Sequence, residues 1–279
     1  MLAIVLALGS SVGWGSADFL GGLSARRAPI LVVTAVSQTA GLALTLLLVA
    51  WLGRGPADPA VLWIGAVGGV MGAAGLSALY RGLAVGRMGV VAPIAAMSGL
   101  VPVAVGLIAQ GDRPGPTQIA GMAVAVGGVI LAARAHDEDR ATRVATVVLL
   151  ALLAAAFLGC MVVALDAGGD RDPIWTIFMV RVSSSVVLWS VVALRRPSFT
   201  AMRPNMGPLV GAGVLDNTAN LLFVLASARG LLSLVAVVGS LYPVVTVLLA
   251  RVVLRERLRR WQLVGVIAAL AGATMISLG

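Results

Sequence analysis

The sequence has few of the residues on which soluble catalytic and metal-binding proteins depend. Its 279 residues include one cysteine, one histidine and two tyrosines, and only 11% are charged. The single thiol, Cys160, excludes an internal disulfide and a cysteine-rich metal site. The low charge excludes a water-soluble globule of this size, because soluble domains contain roughly 25% charged residues.

Apolar residues take the place of the missing charge and make up 60% of the chain. The formal net charge of +9 comes entirely from arginine, since no lysine is present. These arginines lie in short groups between apolar runs and form no basic stripe with interleaved aromatic residues, which argues against a nucleic-acid partner. The composition therefore predicts an integral membrane protein, with the lipid bilayer as its surroundings.

Ten apolar runs are long enough to cross a bilayer, whose core about 30 Å thick needs roughly 20 helical residues. The first run lacks the basic residues of a signal peptide and is longer than its apolar segment, so it is interpreted as a span. Continuous rather than alternating runs favour helices over a β-barrel. The predicted spans cover residues 2–23, 29–52, 60–80, 88–109, 117–134, 144–166, 173–194, 207–226, 231–254 and 261–278.

The arginines are unevenly distributed between the two sets of loops. Loops after odd-numbered spans contain fifteen of them, and loops after even-numbered spans contain four. The positive-inside rule then places the loops after odd-numbered spans in the cytoplasm and both termini outside. The expected location is a bacterial cytoplasmic membrane, crossed many times by the chain.

The two halves of the chain resemble each other at a spacing of 144 residues. Matches at this spacing join Gly15 to Gly159, Pro29-Ile30 to Pro173-Ile174, Asp112-Arg113 to Glu256-Arg257, and Gln118, Gly121 and Gly128 to Gln262, Gly265 and Gly272. The predicted repeats are residues 1–140 and 141–279. Because each repeat has five spans, an odd number, the second must be inserted upside-down relative to the first. The predicted fold is thus an all-α membrane protein of ten transmembrane helices in two inverted five-helix repeats, an arrangement typical of transporters with a central site.

Several motifs also resemble those of one protein family. They are Gly13-Trp14-Gly15, Tyr80-Arg81-Gly82-Leu83-Ala84, Val90-Val91-Ala92-Pro93, Leu100-Val101-Pro102, Leu241-Tyr242-Pro243, and Arg255-Glu256-Arg257 followed by Gln262 and Gly265. They are similar to the drug/metabolite transporter superfamily, in its ten-helix branch with two EamA domains. The resemblance implies export of metabolites or toxic compounds, or exchange of nucleotide-sugars. It also implies that both termini lie in the cytosol, whereas the arginine distribution places them outside. The predicted orientation follows the arginine distribution.

Three ionisable residues fall inside predicted spans, where charge is costly and usually faces the bundle interior. They are Asp18 in span one, Arg181 in span seven and Asp216 in span eight. Asp216 is predicted to bind solute or protons, and the alternative is a purely structural pair with Arg181. Asp216 and Asn220 share a helix face, and Asn217 extends the polar stripe.

Other polar or aromatic residues are expected around these charges. Arg81, near the end of span three, is the expected partner of Asp18. Gln38, Ser98 and Tyr242 are weaker candidates, and Trp14 is expected either to wall a cavity or to pack in the core. The candidate solute-binding residues are Trp14, Asp18, Gln38, Arg81, Ser98, Arg181, Asp216, Asn217, Asn220 and Tyr242.

No signal for catalysis, a metal or a cofactor is found in the sequence. The charged run from His136 to Asp139 is interpreted as a solvated loop, because no second cluster completes a metal shell. The hypothesis is a secondary transporter of a small polar solute, a monomer or homodimer, with a cavity lined by spans one to four and six to nine. A lipid flippase, an intramembrane enzyme acting on lipid-linked substrates, and a scaffold subunit stay open as alternatives.

Overall fold

The protein is a bundle of α-helices in the computed structural model, which describes residues 2–99, 101, 115–132, 138–169, 171–199, 206–227, 229, 239, 241–255 and 260–278. These residues form ten α-helices and, after the fourth, a short 3₁₀ turn (Ala96–Gly99). The α-helices are α1 Leu2–Ala25, α2 Ile30–Leu52, α3 Ala60–Val85, α4 Met88–Ala95, α5 Pro116–Ala132, α6 Glu138–Gly169, α7 Pro173–Arg195, α8 Met206–Ser227, α9 Tyr242–Val253 and α10 Arg260–Leu278.

Six of these helices, α1, α2, α3, α6, α7 and α8, are long and apolar enough to cross a membrane. The helices α4 and α9 are also apolar but shorter. They cover only part of predicted spans four and nine, since residues 102–109 and 231–238 of these spans lie outside the described residues. The all-helical, multi-pass fold class is confirmed. Pro102, Asp112-Arg113 and Glu256-Arg257, which contributed to the repeat and the family motifs, also lie outside the described residues.

One predicted loop is helical instead. Glu138 and Asp139 form the start of α6, whereas His136 and Asp137 lie outside the described residues. The division between the repeats at residues 140 and 141 stays a prediction.

The helices alternate in direction through the bundle. At one end, Arg26 in the loop after α1 donates to the carbonyl of Leu83 in the last turn of α3 and to that of Gly86 just after it. Both distances from Arg26 Nη2 are 3.2 Å. At the opposite end, Arg54 in the loop after α2 pairs with Asp172 in the loop after α6. Loops after odd-numbered and even-numbered helices therefore lie at opposite ends, as successive membrane crossings require.

The packing of the helices repeats between the two halves. The antiparallel pair α1 and α8 corresponds to α6 and α3 when the halves are exchanged, and each pair is in extensive contact. The pair α3 and α7 likewise corresponds to α8 and α2, and both of these pairs pack together. With five helices per half and alternating directions, the two repeats are inverted relative to each other.

The matched glycines Gly15 and Gly159 occupy equivalent contacts. A Cβ at Gly15 would meet the Tyr242 carbonyl and would lie 2.6 Å from Val245 Cβ. A Cβ at Gly159 would lie 2.6 Å from the Ser98 carbonyl oxygen and would also meet Val101. Residues 98 and 101 stand 144 positions before 242 and 245, so the sequence repeat is reproduced in the packing. Only glycine allows the two backbones to approach so closely.

At the end where α2 and α6 terminate, four charged residues form what we call the loop clasp: Arg54, Asp58, Arg171 and Asp172. Asp172 accepts from Arg54 Nη1 at 2.7 Å, from the Ala57 amide at 3.1 Å, and, as the N-cap of α7, from the Trp175 amide at 3.4 Å. Arg171 pairs with Asp58 across the same loops. The clasp joins the α2–α3 loop of the first repeat to the α6–α7 loop of the second.

The carboxylates of the loop clasp are held in the charged form. Burial opposes ionisation of Asp172, but the hydrogen bonds from Arg54, Ala57 and Trp175 outweigh it and lower the pKa of Asp172. The Ala60 amide, followed by Arg171, lowers the pKa of Asp58. Because both pKa values are depressed on folding, the clasp contributes stability above the unfolded value of about 3.9 and loses it as pH falls through the depressed values. It is therefore intact at neutral pH.

We expect Gly15→Ala and Gly159→Ala each to destabilise the detergent-solubilised protein by about 1–3 kcal/mol, because an added Cβ overlaps a neighbouring helix. Thermal unfolding followed by tryptophan fluorescence measures the loss. Gly127→Ala is the matched control, since a Cβ there meets nothing within 4 Å. Equal melting temperatures for all three variants would contradict the packing described for the repeats.

Asp172→Ala should destabilise the protein more than Asp58→Ala does. Asp172 is 2% exposed and accepts three hydrogen bonds, so its loss costs about 1–3 kcal/mol. The Asp58–Arg171 pair is largely solvated, and exposed pairs contribute at most about 1 kcal/mol. The measurement is thermal unfolding at neutral pH, and a larger loss for Asp58→Ala would overturn the ranking.

Candidate functional site

Arg181 in the middle of α7 is the centre of a buried polar cluster. It is 3% exposed, and each of its three guanidinium nitrogens contacts an oxygen from a neighbouring helix. Nε donates to Asn217 Oδ1 at 3.0 Å, Nη1 to Gln38 Oε1 at 2.8 Å, and Nη2 pairs with Asp216 Oδ2 at 2.7 Å. The cluster therefore joins α2 of the first repeat to α7 and α8 of the second.

Small residues on α2 and α8 let the backbones reach this arginine. A Cβ at Gly41 would lie 3.3 Å from Arg181 Nε, and a Cβ at Gly213 would overlap the Ser37 carbonyl. Gln38 Oε1 also accepts from Ser184 Oγ at 2.8 Å, which fixes the amide. A guanidinium removed from water needs a counter-charge and several acceptors, and the cluster supplies both.

A second carboxylate, Asp18 on α1, lies beside the ion pair. It is 8% exposed and lies within electrostatic range of Asp216. Because α1 and α8 are antiparallel, the next turn brings Trp14 to Asn220, whose Oδ1 accepts from the indole Nε1 at 3.2 Å. We call these two rungs, Trp14–Asn220 and Asp18–Asp216, the α1–α8 ladder.

Three aromatic rings surround the Trp14 rung of this ladder. The Trp14 and Phe223 ring centroids are 5.4 Å apart, and the edge-to-face pair of Trp14 and Tyr242 is 6.1 Å apart. Tyr242 also hydrogen-bonds with the side chain of Ser98 at the end of the 3₁₀ turn. The aromatic rung thus receives residues from α1, α8 and α9 and from the 3₁₀ turn after α4.

The structure brings together nine of the ten sequence-predicted site residues and excludes one. Arg81 is exposed, whereas Asp18 is buried, so the expected pairing of these two residues is wrong. The neighbouring Tyr80 faces inward instead, because α3 packs against α1 through Tyr80 and Gly21, and this turns residue 81 outward. The alternative foreseen for Asp216, a pair with Arg181, is present. Solute binding by these side chains stays a prediction.

Sequence reasoning missed four residues of the cluster: Ser37, Tyr80, Ser184 and Phe223. Tyr80 is 1% exposed, hydrogen-bonds with Ser37, and is within electrostatic range of both Asp18 and Asp216. Its position was detectable from spacing, because Gly72, Leu76 and Leu83 share its helix face. The other three carry no charge, and a serine or phenylalanine inside a span gives no signal of its own.

The polar ladder has no counterpart in the second interface of the same kind, between α3 and α6. Positions 144 residues from Trp14 and Asp18 are Leu158 and Val162, and Asp216 corresponds to Gly72. A Cβ at Gly72 would lie 2.7 Å from Met161 Sδ, so that interface is tight and apolar. The backbone repeats, whereas the buried charge belongs to one interface.

These features define a multi-pass helical membrane protein of two inverted repeats, with a charged centre at the junction of α1, α2, α7 and α8. The EamA-like transporter family model matches residues 1–134 and 145–278, and the chain belongs to this family. The family consists of membrane transporters of the drug/metabolite type, so transport is the class of activity that this fold carries.

Solved structures with the same fold are found as well. One, described as "Crystal structure of protein", superposes with a TM-score of 0.67 over 98% of this chain and 95% of that chain, at 19% identity. At this identity the likeness shows the fold alone. No curated protein sequence matches the chain.

Arg181→Met should lower the free energy of unfolding by about 3–5 kcal/mol, because it leaves Asp216 buried without its counter-charge. The double variant Arg181→Met/Asp216→Leu should recover most of this loss, since an apolar pair carries no desolvation cost. Denaturant unfolding in detergent measures both changes. If the double variant were as unstable as the single one, the loss of stability in Arg181→Met would not come from an unpaired charge at Asp216.

Proposed function

We propose that the protein is a secondary transporter that exports or exchanges a small polar organic metabolite across a bacterial cytoplasmic membrane by alternating access. The observation that carries this proposal is the Arg181–Asp216 pair, buried where the two inverted repeats meet. Inverted repeats of this kind open a midplane site to one side at a time by rocking against each other. The protein binds its solute within the bilayer and performs no chemical conversion.

Asp216 is more exposed than its partner Arg181, and this difference supports solute access at Asp216. Its side chain is 19% exposed, whereas that of Arg181 is 4% exposed. Asp216 thus keeps some free surface while it anchors the guanidinium. A solute that reaches the α1–α8 ladder would meet Asp18 and Asp216 on one rung and Asn220 one helical turn away.

The excess of carboxylate over guanidinium supports coupling to protons. Asp18 is close enough to Asp216 on α8, Tyr80 on α3 and Tyr242 on α9 to interact with them electrostatically. Arg181 already pairs with Asp216. Two carboxylates thus share one buried positive charge. A proton at Asp18 removes the imbalance, and movement of the repeats then carries that proton across the membrane.

The transport proposal is tested with the purified protein in liposomes. Vesicles are loaded with a panel of unlabelled amines, amino acids, organic acids and nucleosides, and counterflow of the labelled form is measured. We expect saturable counterflow of at least one solute, abolished by Arg181→Met. Phospholipid scrambling without solute counterflow would favour a flippase, and conversion of a lipid-linked compound would favour an enzyme. Either outcome, without solute movement, contradicts the proposal.

If the buried carboxylates exchange protons, Asp18→Asn and Asp216→Asn should each flatten the pH dependence of the transport rate. The reason is that an amide cannot titrate. Asp58→Asn in the loop clasp is the matched control, because it removes an equal charge outside the membrane core, and it should keep the wild-type pH profile. Size-exclusion profiles and melting temperatures check that each variant is folded. Proton-coupled flux of normal size in both buried variants would refute the coupling.

A further inference from the structure

We propose that Asp18 and the rings of Trp14, Phe223 and Tyr242 form a subsite for an organic cation, so that the solute has an ammonium group joined to an apolar body. This inference rests on the proposed transport function and names the chemical class of its substrate. The site lies at the junction of α1, α8 and α9.

The first argument is the charge balance of the described membrane core. Asp216 is neutralised by Arg181 at 2.7 Å, and within the same described residues Asp18 has neither a basic partner nor a hydrogen-bond donor. Asp18 is nevertheless 8% exposed. A buried carboxylate without a partner is strongly unfavourable, and such groups are paired or bind ligands. An ammonium group supplies the missing positive charge.

The second argument is the aromatic surface one helical turn away. Trp14 and Asp18 are separated by four residues on α1 and share a face. Trp14, Phe223 and Tyr242 are each half-buried, and the centroids of the Phe223 and Tyr242 rings lie 5.4 and 6.1 Å from that of Trp14. Ring faces attract cations, and tryptophan does so most strongly. A carboxylate beside three rings therefore suits a cation with an apolar substituent better than a neutral or anionic solute.

The third argument is that Arg181, the one buried basic residue in the part of the chain that the structure describes, already has its partners. Each guanidinium nitrogen of Arg181 contacts an oxygen of Asn217, Gln38 or Asp216. An anionic solute would have to displace one of these oxygens and would then face two carboxylates. A cationic solute would instead meet Asp18, which has no basic partner among the described residues. Since Leu158 and Val162 replace Trp14 and Asp18 in the other repeat, we expect one such subsite per chain.

The test measures equilibrium binding to the purified full-length protein in lipid nanodiscs, with four probes that differ in their charge or in the presence of the ring. They are benzyltrimethylammonium, its neutral isostere neopentylbenzene, tetramethylammonium without the ring, and phenylacetate as the anion. We expect benzyltrimethylammonium to bind best, with one site per chain by calorimetry. If neopentylbenzene bound more tightly than benzyltrimethylammonium, the site would be an apolar pocket without preference for charge. If phenylacetate bound more tightly, the site would be an anion site. Both outcomes overturn the inference.

Variants separate the two parts of the subsite. Asp18→Asn should weaken binding of benzyltrimethylammonium by at least about tenfold, because the charge partner is lost. Asp18→Glu should restore part of it. Trp14→Leu should weaken binding by roughly two- to thirtyfold, and Trp14→Phe by less, in line with cation–π strength. Asp58→Asn, in the loop clasp, is the control for net charge. Unchanged binding in folded Asp18→Asn would overturn the inference.

This experiment and the counterflow assay fail independently. Binding needs no transport, so cation binding without any solute counterflow would contradict the proposed function and leave the subsite standing. Counterflow of neutral or anionic solutes, with no cation bound, would contradict the subsite and leave transport standing.

Discussion

The structure depends on one constraint, the removal of the Arg181 guanidinium from water in the middle of the bundle. A charge at that depth is tolerated only with a counter-charge and a set of acceptors, and these come from two helices, α2 in the first repeat and α8 in the second. Gly41 and Gly213 are small because α2 and α8 must approach the guanidinium. Within this cluster, the hydrogen bond from Arg181 to Gln38 is the contact that links the second repeat to the first.

The two repeats share a backbone and differ in chemistry. Gly15 and Gly159 receive equivalent helices at equivalent distances, so the pseudo-symmetry is built into the packing. The interface between α3 and α6 is closed by apolar residues against Gly72, whereas its counterpart between α1 and α8 contains the polar ladder. Within the described helices, the symmetric frame thus contains one polar seam and one apolar seam of the same kind.

The loop clasp and the buried pair are charge pairs of different character. The clasp lies at the end of the bundle, where water screens its pairs and each contributes little apart from the capping role of Asp172. The pair at Arg181 is screened much less, and breaking it leaves a bare charge. The energies of the Arg54–Asp172 and Arg181–Asp216 pairs thus differ although both distances are 2.7 Å.

The sequence by itself determined the helical membrane fold, the repeat, and which ionisable residues lie inside spans, because each follows from composition, run length and spacing along one chain. Only the tertiary structure decided that Arg181 binds Gln38 and Asn217 as well as Asp216, that Arg81 faces outward, and that two further rings surround Trp14, one turn from Asp18. The physical reason is that helices in lipid are apolar on most sides, so the hydrophobic pattern does not specify their rotation. That rotation is set by close contacts such as Gly21 against Tyr80, between residues far apart in the chain.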